Sequence, residues 1–148
     1  MARQVVAFHK DRTYRYTRDL AKSLKRRGYF MLAISSSKRA IVSEFAGRLG
    51  FDKVYGRLLD VNRRGRFTGT SPHDAVSYDK EQILFRAIER NNLTLAGSIG
   101  VGDTEDDIKF LKHVARPICF NPNSALYRHA KRHGWKVVVE RKDVVYHL

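Results

Sequence analysis

Two periods alternate along the chain. After Thr17, the positions Leu20, Ala21 and Leu24 recur at helical spacing, and Lys25-Arg26-Arg27 leads into Gly28, which predicts a helix with a basic last turn. Residues 29–34 are continuously apolar, as in a strand covered on both faces. The run ends in Ser35-Ser36-Ser37, and Ile41, Val42, Phe45, Ala46 and Leu49 then line a second helix that stops at Gly50. Residues 51–56 predict a connection and a short strand. Residues 58–61 and 66–68 flank Asn62-Arg63-Arg64-Gly65 as a hairpin, and 69–78 predict a loop. The next helix starts near Asp79 and buries Ile83, Leu84, Ala87 and Ile88.

The second half repeats the alternation. An apolar run over 95–101 predicts a buried strand with a tight turn at Gly102. Ile108, Phe110, Leu111 and Val114 predict a helix that begins among acids. Residues 117–120 predict a short strand, and Asn121-Pro122-Asn123 a turn. Leu126, Tyr127 and Ala130 mark a helix stopped at Gly134, residues 136–140 a strand, and 144–146 one more. Strand and helix in alternation predict an α/β fold, a parallel sheet with helices on both faces. Residues 4–8 are too few for periodicity to decide between a short strand and the end of a helix.

Composition narrows the class. A chain of 148 residues with 43% hydrophobic and 30% charged residues predicts one folded domain with a real core. Lys and Arg number 29 against 15 acids, a net charge of +14, which predicts attraction to anions: phosphorylated metabolites, nucleic acid or an acidic membrane surface. Basic residues are spread rather than gathered into an arm, and most are expected on solvated helix faces. The one cysteine, Cys119, lies in an apolar run and reads as a core residue; its solitude excludes a disulfide scaffold and fits the cytoplasm. No stretch has the length of a membrane span.

Against that charge, Asp103, Glu105, Asp106 and Asp107 crowd into five positions after the strand at 95–101. The turn puts Asp103 at the carboxyl end of a strand, where open α/β sheets collect ligands, and Asp107 returns to the same side one helical turn later. Two such carboxylates suit magnesium; they equally complement the dipole of a helix start, and the stretch alone leaves both readings open. Ser35-Ser36-Ser37, between strand and helix, reads as an anion site or as a helix N-cap, the cap being preferred in isolation. Lys80 in the first turn of a helix is disfavoured by the dipole, and reads as an exposed lysine or as one kept to meet a phosphate. His129, His133 and Trp135 fall together near a helix end and read as surface and core residues.

Taken in order, Ala33-Ile34-Ser35 with Leu49-Gly50-Phe51 fifteen residues on, the hairpin Gly65-Arg66-Phe67-Thr68-Gly69, Lys80, Val101-Gly102-Asp103-Thr104 with Asp107, and Asn121-Pro122 followed by a helix and Gly134-Trp135 resemble the haloacid dehalogenase superfamily, in its phosphoserine-phosphatase-like branch. The resemblance covers residues 14–148. It implies a Rossmann-like three-layer α/β sandwich with a mostly parallel sheet, and a phosphohydrolase acting on a small phosphorylated metabolite with Mg2+. It gives Ser35 a hydrogen bond to the transferring phosphoryl group, helped by Ser36. It gives Lys80 the phosphate and the attacking carboxylate, Asp103 the magnesium, and Asp107 a direct or supporting place beside it.

The family's nucleophile, an aspartate in Asp-x-Asp-x-Thr on the first strand, has no counterpart here, and neither has the helical cap that follows it. Residues 1–13 therefore read either as the remnant of a cap, the chain being the C-terminal part of a longer phosphatase, or as a degenerate first motif with His9 at the nucleophile position and Asp11 at the acid/base position. The fragment is preferred, because so short a match arises easily by chance. A sheet lacking its first strand exposes edges, which predicts association through them. The alternative function is a basic nucleic-acid-binding or partner-binding module on the same scaffold; no helix-turn-helix, zinc pattern or aromatic RNA-binding signature supports the nucleic-acid form, which is not favoured.

Overall fold

The computed structural model describes residues 13–57, 79–141 and 144–147. His9, Asp11 and the 65–69 hairpin lie outside the described residues. The contacts of the chain divide into two compact units, Met1–Tyr78 and Asp79–Leu148.

In the first unit, α1 (Arg15–Arg26) buries Ala21 and Leu24 and ends at Arg27, with Gly28 in the left-handed region at φ 78°. β1 (Leu32–Lys38) runs parallel to β2 (Lys53–Arg57), and α2 (Arg39–Arg48) connects them. Asp52, just before β2, joins the end of α1 to the approach to β1: Oδ1 accepts from Lys25 Nζ at 2.5 Å, and Oδ2 from the Met31 amide at 2.8 Å. The Asp52 and Lys53 amides return to the Met31 carbonyl. This collar delays the strand, so β1 starts at Leu32 and not at Tyr29.

Ser35, Ser36 and Ser37 belong to β1. They bulge between the pairs Ile34↔Tyr55 and Lys38↔Arg57, opposite Gly56, and Ser35 Oγ accepts from the Ser37 amide at 3.1 Å. The helix cap preferred for them in isolation is replaced by Lys38, which caps α2 without a side-chain bond. Gly56 allows the start of α2 to lie this close: a Cβ there would stand 2.5 Å from Arg39 Cα.

In the second unit, α3 (Lys80–Asn91) precedes a sheet in the order β3 (Ile99–Gly102), β4 (Arg116–Phe120), β5 (Lys136–Arg141), β6 (Val144–His147). The first three strands are parallel and β6 is antiparallel. A short α4 (Ile108–Leu111) links β3 to β4, and α5 (Ser124–His133) links β4 to β5. Leu111, Cys119, Leu126, Ala130 and Val137 are fully buried and form the core of this unit.

Two elements are shorter than their apolar pattern. β3 begins at Ile99 because Leu95 to Ser98 form a turn, with Gly97 at φ 70° and Ser98 Oγ donating to the Leu95 carbonyl at 2.6 Å. It is not buried on both faces, since Val101 is 38% exposed and β3 has a strand on one side only among the described residues. The helix after the acids is a 3-10 turn, Glu105–Asp107, followed by the single turn of α4. The Ala115 amide donates to Ser98 Oγ and the Arg116 amide to the Ser98 carbonyl, so the chain must enter β4 by Arg116. Among the described residues no helix is long and apolar enough to cross a membrane.

Candidate active site

β3 delivers Asp103 to its carboxyl end, and the next residues fold back beneath it. Thr104 caps the 3-10 turn in a reciprocal box with Asp107, three residues on. The Asp107 side chain, on a residue 2% exposed, turns toward the strand end, where Oδ2 accepts from the Asp103 amide at 2.8 Å and the Thr104 amide at 3.2 Å. Gly102 permits this fold: a Cβ on it would lie 2.5 Å from Asp107 Cβ and 2.7 Å from Oδ2. A glycine preceding the aspartate is required by this contact, whatever its dihedral angles.

The other oxygen of Asp107, Oδ1, meets the Lys80 ammonium. Lys80 thus tolerates the start of α3, where the helix dipole repels a cation. Its neighbours satisfy the dipole: Asp79 caps the helix through the Glu81 amide at 2.9 Å, and Glu81 is acidic in the first turn. Lys80 and Asp107, 27 positions apart, form a charge-assisted bond with one partner sealed from water.

Asp103 is the exposed member of the group. Partial desolvation first, and repulsion from Asp107 second, push its pKa above the ordinary carboxylate value, while the Lys80 ammonium pulls the other way. A carboxylate facing another across a turn is relieved by a cation, and a hard divalent ion that keeps its waters needs only one or two such ligands. Asp103 fits that demand. Asp107 has both oxygens engaged by protein donors, which suits holding Lys80 and the turn better than direct ligation. Among the described residues no three His, Cys, Asp or Glu side chains gather as a metal cage.

Asn121 and Asn123 have structural parts that the sequence reading gave only to a turn. The Asn123 amide donates to the Asp103 carbonyl at 2.8 Å, its Oδ1 caps α5 through the Leu126 amide, and its Nδ2 meets Glu105. Asn121 Oδ1 accepts from the Glu140 amide at 2.9 Å and its Nδ2 donates to the Glu140 carbonyl, which ties the end of β4 to β5. The carboxyl ends of β3 and β4 are therefore fastened together. An Asn three residues before an apolar helical period is the signal that marks such a cap.

Ser35 is half-buried and Ser36 exposed, both in the first unit, whereas Lys80, Asp103 and Asp107 come together in the second. Cys119 is buried, its thiol pushed up to about 11 by desolvation and then by the Asp107 charge, as befits a core residue. His129 and His133 stack at 3.9 Å, with Trp135 edge-on to His129 at 4.7 Å.

A mostly parallel sheet carrying an exposed aspartate at a strand end, above a buried aspartate that holds a lysine, defines an α/β protein of Rossmann-like architecture. Residues 1–112 match the profile of the haloacid dehalogenase-like hydrolases, and the chain belongs to that family. It is 27% identical over 127 residues to a histidinol-phosphatase of Neisseria meningitidis serogroup C, an alignment that covers 82% of this chain and 56% of that protein. It is 26% identical over 124 residues to a phosphoserine phosphatase of Methanocaldococcus jannaschii, covering 83% and 56% respectively. A solved complex of phosphoserine phosphatase with substrate matches it with a TM-score of 0.65 at 26% identity, over 75% of this chain and 53% of that one. The expected fold and the likeness to the phosphoserine-phosphatase-like branch are borne out. The chain spans about half the length of these relatives.

Proposed function

We propose that this chain is a magnesium-dependent phosphohydrolase domain for a small phosphorylated metabolite, with Asp103 as the metal's carboxylate and Lys80 as a phosphate-binding cation. The observation that carries the reading is the grip of buried Asp107 on the Lys80 ammonium and, through its other oxygen, on the turn that presents Asp103. Phosphoryl transfer asks of a protein chiefly positioning and charge neutralisation. A buried carboxylate that fixes a lysine and a strand-end aspartate serves both. Magnesium, when bound, would neutralise phosphoryl charge. Ser35 and Ser36 would contribute a hydroxyl and backbone donors to phosphoryl oxygens.

The reaction class is that of an aspartyl-phosphate enzyme, and this sequence has no Asp-x-Asp-x-Thr nucleophile. The proposal therefore includes that this chain alone binds magnesium and phosphate without ordinary turnover. His9 and Asp11 are the residues that would have to act if it does turn over.

The test is titration calorimetry with magnesium and with inorganic phosphate, beside magnesium-dependent hydrolysis of p-nitrophenyl phosphate, on the chain, Asp103→Asn and Lys80→Ala. Magnesium binding lost in Asp103→Asn, phosphate binding weakened in Lys80→Ala, and no hydrolysis in any form support the reading. Magnesium binding untouched by Asp103→Asn overturns the metal site. Hydrolysis by the unmodified chain overturns the claim that it lacks ordinary turnover and directs attention to His9 and Asp11.

A further inference from the structure

Three consecutive residues at the start of α3 reach partners in one short segment after the acidic turn. Asp79 meets Lys109 at 3.4 Å, Lys80 meets Asp107, and Glu81 Oε1 meets both Lys112 at 3.1 Å and His113 Nε2 at 2.6 Å. The links are unequal. The Lys109 and Lys112 side chains are 59% and 51% exposed, so water and salt screen them. His113 is better enclosed, and its ring stands edge-on to Phe85 at 4.9 Å. Phe85 lies one turn beyond Glu81 on the same face of α3, so His113 holds that helix at two points. Its own amide donates to the Phe110 carbonyl at 3.1 Å, which ties it to α4.

Lys80 sits between the two anchored acids. A lysine stem has four rotatable carbons, so its ammonium stays at Asp107 only while the backbone that bears it is fixed. Asp107 is fixed from below by the β3 turn. The start of α3 needs its own tether, and His113 supplies the least exposed one that Glu81 has.

We infer that His113 is a positioning residue for Lys80: through Glu81 and Phe85 it sets the first turn of α3 against the end of α4, and so keeps the Lys80 ammonium where an anion can meet it. The inference rests on the phosphate-binding reading of Lys80.

The experiment follows the Lys80 side-chain carbon resonance by NMR at neutral pH, with phosphate affinity by calorimetry, in the full chain and in His113→Ala, His113→Gln and Lys80→Ala. Gln keeps a donor for Glu81. His113→Ala is expected to shift the Lys80 resonance and weaken phosphate binding about three- to tenfold. His113→Gln should restore both. If Lys80→Ala weakens phosphate binding and His113→Ala leaves both readouts unchanged, the inference falls and the phosphate site stands. If Lys80→Ala leaves phosphate binding intact, the phosphate reading falls, and with it the anion-presenting part of the inference; the Lys80 resonance then decides the tether alone. Should His113→Ala not fold, Glu81→Ala removes the same tether, and a Lys80 resonance and phosphate affinity unchanged in it overturn the inference.

Discussion

Asp107 holds Lys80 with one oxygen and the amides of Asp103 and Thr104 with the other. One buried carboxylate thus joins the start of α3 to the end of β3. Replacing it with alanine strands an ammonium and two amides. Breaking a buried ion pair by removing one partner costs about 3 kcal/mol or more. Urea denaturation should place Asp107→Ala near that loss, with Asp107→Asn milder because an amide oxygen still accepts from the turn.

Asp103 works against folding in the metal-free chain. Its pKa is raised, so the folded state holds that proton more tightly than the unfolded chain does, and stability from this group is lost as pH rises through the raised value. Asp103→Asn should therefore raise the denaturation midpoint at neutral pH without magnesium. Added magnesium should raise the midpoint of the unmodified chain and leave that of Asp103→Asn in place. A midpoint that climbs with magnesium in both forms would place the ion elsewhere.

Removing the Lys80 charge should move Asp103 further. Lys80 is the charge that lowers the Asp103 pKa, against desolvation and Asp107 which raise it. In Lys80→Met the carboxyl carbon of Asp103 should titrate at a higher pH than in the unmodified chain, as read by carbon NMR. An unchanged titration would mean that Lys80 does not act on Asp103 electrostatically.

Two glycines should respond in opposite directions. At Gly102 an added methyl meets Asp107 Cβ at 2.5 Å, and Gly102→Ala should destabilise by about 1–3 kcal/mol while it opens the Lys80–Asp107 contact. At Gly47, inside α2, nothing lies within 4 Å of the added methyl, and Gly47→Ala should stabilise by about 0.5–1 kcal/mol. Thermal denaturation of the two variants decides both.

In the first unit, Asp52 carries a pH-dependent share of stability. Hydrogen bonds from Lys25 first and the Met31 amide next hold its pKa below 3.8. A depressed acid contributes stability that is present above its ordinary range and lost as pH falls through the lowered value. Asp52→Ala should cost about 1–3 kcal/mol at neutral pH, and the gap to the unmodified chain should close in strong acid. A gap that persists there would point to packing instead of charge.

Much of this could be read from local pattern. The helical periods at Leu20–Ala21–Leu24, at Leu84–Ala87 and at Leu126–Ala130 all lie in helices, and all of these residues but the half-buried Leu20 are buried. Gly28 and Gly134 stand at the helix ends with positive φ, as C-terminal stops require. Where pattern misled, a tertiary tether was the cause. The apolar run at 95–101 became a turn and a four-residue strand because Ser98 binds Leu95 on one side and Ala115 on the other. The serines took a place in a strand because β2 lies beside them.

By itself, then, the sequence determined the order of strands and helices, the strand-end place of Asp103 and the family likeness, since periodicity, caps and motif spacing act over a few residues. Only the tertiary structure decided which groups meet. Asp107 turned out to hold Lys80 from 27 positions away, and Glu81 to hold His113 from 32. Pairings at such separations leave no periodic trace: they arise where packed elements bring charges together, and Coulomb attraction depends on distance in space, not along the chain.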